Sequence, residues 1–366
     1  MNIKNYNSQE IGLAKAYVKQ GQQCDIVYYA GDEASHKEYI EAADGKTITI
    51  YWQKGFSIAN NGFFPGINRI IEQYDVIQVS EYYFWASWYV YWKYGKTKKV
   101  YIYQGVYDAD NSRRFQIRCK IMDPILLRKR LLKNTPVFTK SILAEQTMRK
   151  RGFEQIVTVG VGVDLERLID KAEATAFSEK LRKEKNDRFF MLYVGVMEDR
   201  RNIIFMLRML RYIADRVPNV CLVMVGKGQE QYEAEVNKTI EELHLSGHIL
   251  WTKMLSQGQL KSVYEQEDLF LLPSKYEIFG MVILEAMSLG VPVVSSLNGG
   301  SSTLIQNGVN GVIIEEFDEK KWGDNAIALL HNHQQRVDIA IKAKNTVNRD
   351  YSWDCIAGQI LAKLSK

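Results

Sequence analysis

Short apolar runs recur roughly every 20–30 residues, and helical patterns fill the stretches between them. In the first half they predict strands at Cys24–Tyr29, Thr47–Tyr51, Val76–Val79, Val100–Tyr103, Val137–Thr139 and Ile156–Val159. In the second half they predict strands at Phe189–Val194, Val220–Val225, Ile249–Thr252, Leu269–Leu272, Pro292–Ser295 and Val312–Ile314. Several runs are unbroken rather than alternating, the pattern of parallel strands covered by helices on both faces. Strand and helix alternate in two sets, which predicts two doubly wound α/β domains. Glu166–Arg188 is highly charged and contains neither Gly nor Pro, so it reads as the connection and a helical start to the second domain. Asn7 and Glu10 form a capping box before a helix at Ile11–Tyr17. That leaves Asn2–Lys4 as a very short first strand, or no first strand at all.

Composition narrows the classes. Hydrophobic residues are 46% and charged residues 25% of 366, the balance of a globular chain rather than a disordered one. The longest uncharged apolar run, the 11 residues Tyr82–Trp92, is too short for a bilayer span of about 20. A net charge of +5 does not by itself argue for nucleic acid, and none is expected as a partner. The charge is uneven, however. Arg113–Lys133 holds eight basic residues against one acid, Asp123. Cys24, Cys119, Cys221 and Cys355 lie far apart, without metal or disulfide spacing. The five histidines likewise match no metal-ligand pattern, so no metal is expected.

The chemistry concentrates between Leu271 and Gly311, LLPSKYEIFGMVILEAMSLGVPVVSSLNGGSSTLIQNGVNG. A buried strand ends at Pro273, a polar loop follows, and Gly280 opens a helix over Met281–Leu289. Such a helix, starting at the carboxyl end of a parallel strand, aims free N–H groups and partial positive charge at the crevice. Gly280 lets an anion approach closely, and Gly299 and Gly300 offer a weaker version of the same feature. Glu277 and Glu285 flank the helix start, about 12 Å apart if all eight steps were helical. They cannot act on one atom, but they could hold an elongated ligand at its two ends. Glu285 sits among apolar neighbours, where a charge needs a partner, and vicinal sugar hydroxyls would supply one. Taken singly, Glu285 could equally cap a neighbouring loop or pair with a lysine, and Glu277 could equally be solvated.

The run PSKYEIFGMVILEAMSLGVPVV, the NGG after it and NGVNGVIIE resemble the donor-site run of retaining glycosyltransferases of family four, with their E-x7-E signature. YVGVMEDRRN, VMVGKGQE and GVGVDLERL extend the resemblance, and YSWDCIAGQIL is similar to the family's closing helix. Val137–Lys366 is covered well; residues 1–135 match only loosely. The resemblance implies a GT-B fold, two Rossmann-like parallel-sheet domains facing a central cleft. It puts an acceptor-binding domain at 1–165, a donor-binding domain at 166–351, and the helix near 352–366 back on the first. It implies retaining, metal-independent transfer of a sugar from a nucleotide diphosphate sugar, a UDP-sugar foremost, to a hydroxyl of a glycan or lipid-linked glycan in cell-surface polysaccharide synthesis. No cofactor is implied. By resemblance, Glu277 lies beside the donor sugar and Glu285 holds the ribose. The backbone of Phe279, Gly280, Met281 and Val282 faces the diphosphate, Arg201 binds phosphate (a structural salt bridge, or Arg200 in its role, being the alternatives), and Gly195, Asn298, Gly299 and Gly300 line the donor site.

Departures are specific. Gly195-Val196 stands where the family has Gly-Arg, and Gly299-Gly300-Ser301-Ser302-Thr303 where it has GG-x-x-E. Gln104 stands at the place of a histidine that borders the donor sugar; it can hydrogen-bond a hydroxyl or orient a leaving group, but it cannot be a general base. These departures keep two alternatives in view, a non-catalytic nucleotide-sugar-binding scaffold subunit and a sugar-nucleotide epimerase on the same fold. The aromatic run Tyr82–Trp92 with the lysines up to Lys99, and the basic run Arg113–Lys133, suit an anionic bilayer surface as well as they suit a core helix and a solvated face. The expected location is the cytoplasm, with the inner face of the membrane as a peripheral site.

Overall fold

The apolar runs FFMLYV, VCLVMV and LFLL are buried along their length, apart from the half-buried Phe189, as only strands sheltered on both faces can be. They belong to a computed structural model that describes residues 9–365 except 59–60, 110–112, 165–172 and 187. The chain divides into two compact units, one of residues 1–162 with 351–366, the other of residues 163–350.

In the first unit, α1 (Gln9–Lys19) precedes β1 (Ile26–Tyr29), β2 (His36–Glu41) and β3 (Thr47–Gln53), which form a sheet of order β1-β3-β2. β1 pairs parallel with β3, and β2 pairs antiparallel with it. A small hairpin, β4 (Phe56–Ile58) and β5 (Asn61–Phe63), leads to α2 (Ile67–Ile71). Then come β6 (Val76–Ser80), α3 (Trp85–Tyr94), β7 (Lys99–Gln104), α4 (Arg113–Leu126), α5 (Lys129–Asn134), β8 (Val137–Thr139), α6 (Ile142–Lys150) and β9 (Ile156–Thr158). β6 to β9 form a parallel sheet in sequence order. The unit is therefore not purely parallel: β2 and the hairpin are antiparallel additions. β2 reads HKEYIE and is largely exposed, so no continuous apolar run marks it. Asn2–Lys4 and the Asn7 half of the expected capping box lie outside the described residues.

The second unit opens with α7 (Ala176–Lys185), capped by Thr175, inside the charged segment. A six-stranded parallel sheet follows: β10 (Phe189–Val194), β11 (Val220–Val225), β12 (Ile249–Thr252), β13 (Leu269–Leu272), β14 (Val293–Ser296) and β15 (Val312–Ile314), ordered β12-β11-β10-β13-β14-β15. The intervening helices are α8 (Ile203–Ala214), α9 (Glu230–Glu242), α10 (Gln257–Tyr264), α11 (Met281–Ser288) and α12 (Ser301–Leu304), with α13 (Glu319–His331) and α14 (His333–Asp350) after β15.

The last helix, α15 (Trp353–Leu364), belongs to the first unit. Its Ile356, Ala357 and Ile360 are fully buried in one cluster with Leu13, Ala16 and Tyr17 of α1 and with Phe138 of β8. The first and last described helices thus close the same core.

The aromatic run around α3 is mostly core. Tyr82, Tyr83, Val90 and Tyr94 are buried, and Phe84, Trp88, Tyr89 and Tyr91 pack against the same cluster; Trp92 alone of these is largely exposed. Of the lysines after it, Lys98 is bound to the Glu72 and Tyr74 carbonyls and Lys99 to the Leu364 carbonyl.

Candidate functional site

In the second sheet the chain moves outward from β10 through β11 to β12. It then returns to the other side of β10 with β13 and moves outward again through β14 to β15. The connections leave the carboxyl ends of β10 and β13 in opposite directions. In open α/β sheets such a switch point leaves a crevice in which ligands bind. Two loops emerge there, 195–202 after β10 and 273–280 after β13.

The loop after β13 ends at Gly280, whose φ of 70° lies in the left-handed region that an L side chain resists. Gly280 is the N-cap of α11, and no side chain caps that helix. The Ile283 amide donates to the Gly280 carbonyl at 2.8 Å, while the Met281 and Val282 amides before it have no acceptor within the helix, so the helix mouth presents these donors and the positive end of its dipole. Phe279 is buried as a core anchor beneath it. Met281 and Val282, half-buried, form the first turn.

Glu277 is 5% exposed in the same loop. Its carboxylate is paired with the Arg201 guanidinium, and Arg200 Nη1 stands 3.5 Å from the same oxygen. Arg200 also donates to the Tyr276 carbonyl at 3.2 Å, and the Lys275 amide donates to the Arg200 carbonyl at 2.8 Å. These bonds sew the two switch-point loops together. Among the described residues Arg201 Nε is buried without a hydrogen-bond partner, as is Ser274 Oγ after β13. Burial, with Arg200 alongside, pulls the Arg201 guanidinium below its usual range. Gly195 lies in the loop after β10, which is held by its amide to the Val225 carbonyl at 3.0 Å and by Tyr193 Oη to the Val196 carbonyl at 3.0 Å.

Glu285 lies on the second turn of α11, 6% exposed. It accepts a hydrogen bond from Tyr264 Oη of α10, at 3.4 Å. Burial pushes its carboxyl up to about 7, and the Tyr264 hydroxyl pulls it only slightly back.

The Asn298–Gly300 turn after β14 supports this loop from behind. Asn298 is fully buried, its Oδ1 accepting from the Gly300 and Ser301 amides at 3.0 Å each, its Nδ2 donating to Ser295 Oγ at 3.0 Å and the Ser296 carbonyl at 3.1 Å. The Gly299 amide donates to the Glu277 carbonyl at 3.0 Å. A β-carbon at Gly300 would overlap the Phe279 carbonyl oxygen. The turn therefore shapes the Glu277–Phe279 backbone, and the Asn298 side chain is spent on that task.

Gln104 is in the first unit, at the end of β7, and is fully buried. Its Nε2 donates to Glu81 and to the Val106 carbonyl (2.9 Å), and its Oε1 accepts from the Tyr82 amide at 3.1 Å. Glu81 also accepts from the Gly105 amide at 2.9 Å and the Val106 amide at 3.2 Å, from a left-handed backbone with φ 58°. Gln104 thus braces Glu81 and the loop after β7. The structure joins Glu277 and Arg201 directly and places Glu285 and the helix mouth on the next element. It gives Gln104 a separate, internal setting. Sequence reading missed Glu81, whose one signal was a lone acid ending an apolar strand, and Tyr264, which had none. Among the described residues no group of three His, Cys, Asp or Glu could hold a metal ion.

Two parallel-sheet, Rossmann-like units of this kind constitute the GT-B fold. The chain aligns over 96% of its length with 92% of sucrose-phosphate synthase from Thermosynechococcus elongatus (TM-score 0.72, 18% identity). It aligns over 100% of its length with 98% of Anabaena Alr3699/HepE, solved with UDP and glucose (TM-score 0.71, 17% identity). Residues 167–346, which lie within the second unit, match the family model Glycosyl transferases group 1. Curated relatives include a D-inositol 3-phosphate glycosyltransferase of Corynebacterium urealyticum, 25% identical over 72% of this chain and 62% of that protein. An uncharacterized glycosyltransferase of Methanocaldococcus jannaschii is 32% identical over 47% of this chain and 44% of that protein. The matched part thus spans about half the length of such relatives.

Proposed function

We propose that this protein is a retaining glycosyltransferase that moves a hexose from a nucleotide diphosphate donor, a UDP-sugar first, to a hydroxyl of a glycan or lipid-linked glycan. The observation that carries the reading is the switch-point assembly of the second unit: an uncapped helix mouth at Gly280, the Arg201–Glu277 pair beside it, and buried Glu285 one turn in. The helix amides and Arg201 would hold the diphosphate, Glu285 the ribose hydroxyls, and Glu277 the sugar. That the Anabaena relative was solved with UDP and glucose supports the base and the sugar class.

In the proposed reaction the bond from sugar C1 to the β-phosphate oxygen breaks, and its electrons stay on that oxygen. The acceptor hydroxyl forms the new bond on the same face and passes its proton to the departing phosphate. Charge develops on the diphosphate, where the Arg201 guanidinium and the α11 amides would be placed to stabilise it. Arg201 must leave Glu277 partly or share it with the phosphate, and the neutral pair keeps both groups soluble in a buried site until then.

A thermal-shift screen against UDP-, GDP- and ADP-sugars, followed by mass detection of transfer, tests the reading. Stabilisation by one nucleotide family with turnover supports it; no response to any of them overturns it. The internal use of Gln104 favours one second reading, a nucleotide-sugar-binding subunit without turnover. Binding without transfer or slow donor hydrolysis would establish that alternative. The membrane-facing part of the reading, with a role in cell-surface polysaccharide, rests on the basic segment Arg113–Lys133.

A further inference from the structure

We propose that the outward face of α4, with the start of α5, docks the protein on an anionic membrane surface. The inference deepens the reading above by naming the surface through which a lipid-linked acceptor would be met. In α4, Cys119 and Leu126 are buried in the core and Asp123 is bonded inward, to Tyr82 Oη at 3.0 Å and to Arg151 at 3.3 Å. At 100° per residue the opposite face carries Ile117, Ile121 and Ile125, four residues apart. They are 50%, 64% and 50% exposed.

Three isoleucines in one solvent-facing row have no counterpart on the other described helices, whose exposed large apolar residues stand singly. The basic charge sits with them. Lys120 of α4 and Arg128, Lys129 and Arg130 at the start of α5 are exposed. The one acid of the whole Arg113–Lys133 stretch, Asp123, is consumed by Arg151 and Tyr82, so it neutralises nothing on this face. Arg130 donates to the Gly95 carbonyl at 3.2 Å and so brings the end of α3, with exposed Trp92, beside the basic turn.

An apolar row edged by cations that make no ion pair among the described residues matches a bilayer interface. Methyl groups enter the acyl boundary while the lysine and arginine heads stay among anionic headgroups. An acidic protein groove would satisfy the charge but would have to supply a matching apolar slot. An anionic bilayer offers both along the full length of the helix, and it is the occupant to which the proposal commits. No described helix is long and apolar enough to cross a membrane, so attachment would be peripheral.

The test is co-sedimentation of the full chain with vesicles of phosphatidylcholine alone and of phosphatidylcholine with 30% phosphatidylglycerol, at low and high salt. Binding to the anionic vesicles, lost in high salt and absent on neutral ones, is expected. Ile121→Asp should abolish it, and each of Lys129→Ala and Arg130→Ala should lower the partition coefficient about fivefold. Circular dichroism melts of the variants, which change only exposed positions, check that folding is intact. Ile121→Asp should keep full transfer to a soluble acceptor, so loss of vesicle binding and loss of the transferase reading are told apart. Equal binding to neutral vesicles, no binding to anionic ones, self-association through this face instead, or binding that survives Ile121→Asp overturns the proposal.

Discussion

Glu277, Arg201 and Glu285 carry the sharpest expectations, because each is an ionisable group held largely out of water. Glu277→Ala should lower the transfer rate at least about 100-fold, the loss typical of removing one preorganised electrostatic group, and leave the circular dichroism spectrum unchanged. Initial rates with the donor found by thermal shift decide it. Glu285 makes a pH prediction. Its folded carboxyl titrates near 7 because of burial, above its ordinary 4.5. A raised acid pKa means that the folded state holds the proton more tightly. Stability from this group is thus full below pH 4.5, declines as pH rises, and is lost once pH passes 7. Glu285→Gln should therefore stabilise the protein at pH 8 by roughly 3 kcal/mol, in denaturant titrations of the second unit. If the ionised form is the one that accepts ribose hydroxyls, donor affinity of the wild type should fall as pH drops below 7, with a proton released on binding. Calorimetry in buffers of different ionisation heat reads this directly. Glu277 and Glu285 were legible in the sequence through their spacing around a helix start. The pairing of Glu277 with Arg201 was not, because 76 residues separate them and the switch point of the sheet alone brings them together.

At the scale of elements, the strand–loop–helix around α11 depends on a turn that does not touch it in sequence. The Asn298–Gly300 turn supports the Glu277–Phe279 backbone through the Gly299 amide and through contact too close for any side chain at Gly300. Gly300→Ala should push the two loops apart, cost about 2–4 kcal/mol and raise the donor KM more than it lowers kcat. Retained melting temperature and unchanged KM would show that the turn adapts freely. By resemblance the sequence places Asn298, Gly299 and Gly300 in the lining of the donor site. In the structure the Asn298 side chain bonds Ser295, the Ser296 carbonyl and the Gly300 and Ser301 amides, and so holds the turn in shape. Strands were easiest to read where they are buried on both faces, since continuous apolar runs allow no other exposure pattern. β2 escaped because an exposed antiparallel strand with His, Lys and Glu needs no such run. Tyr82–Trp92 was ambiguous for the opposite reason: aromatic residues suit a core and an interface alike, and only the packing of Tyr82, Tyr83 and Tyr94 decided for the core.

For the whole molecule, the segment farthest from the start of the chain completes the first unit. Ile356, Ala357 and Ile360 of α15 seal the cluster formed by α1, β7 and β8, and Trp353 lies against the backbone of Gly12 and Gly162. Ile360→Ala should cost about 2–5 kcal/mol in the first unit alone, and ending the chain at Asp350 should unfold that unit while the second stays folded. Urea unfolding followed by limited proteolysis would distinguish the two halves. By itself the sequence determined what is local or periodic. It specified parallel strands from unbroken apolar runs, the helix mouth at Gly280, the two glutamates, and a charged stretch with a single acid. These are consequences of spacing, which a chain carries in one dimension. Tertiary structure decided which of those groups meet: Arg201 with Glu277 across the switch point, Gln104 with Glu81, Asp123 turned inward from the basic face, and the last helix packed against the first. Pairings of that kind depend on strand order and packing, and many strand orders are compatible with one pattern of apolar and polar residues.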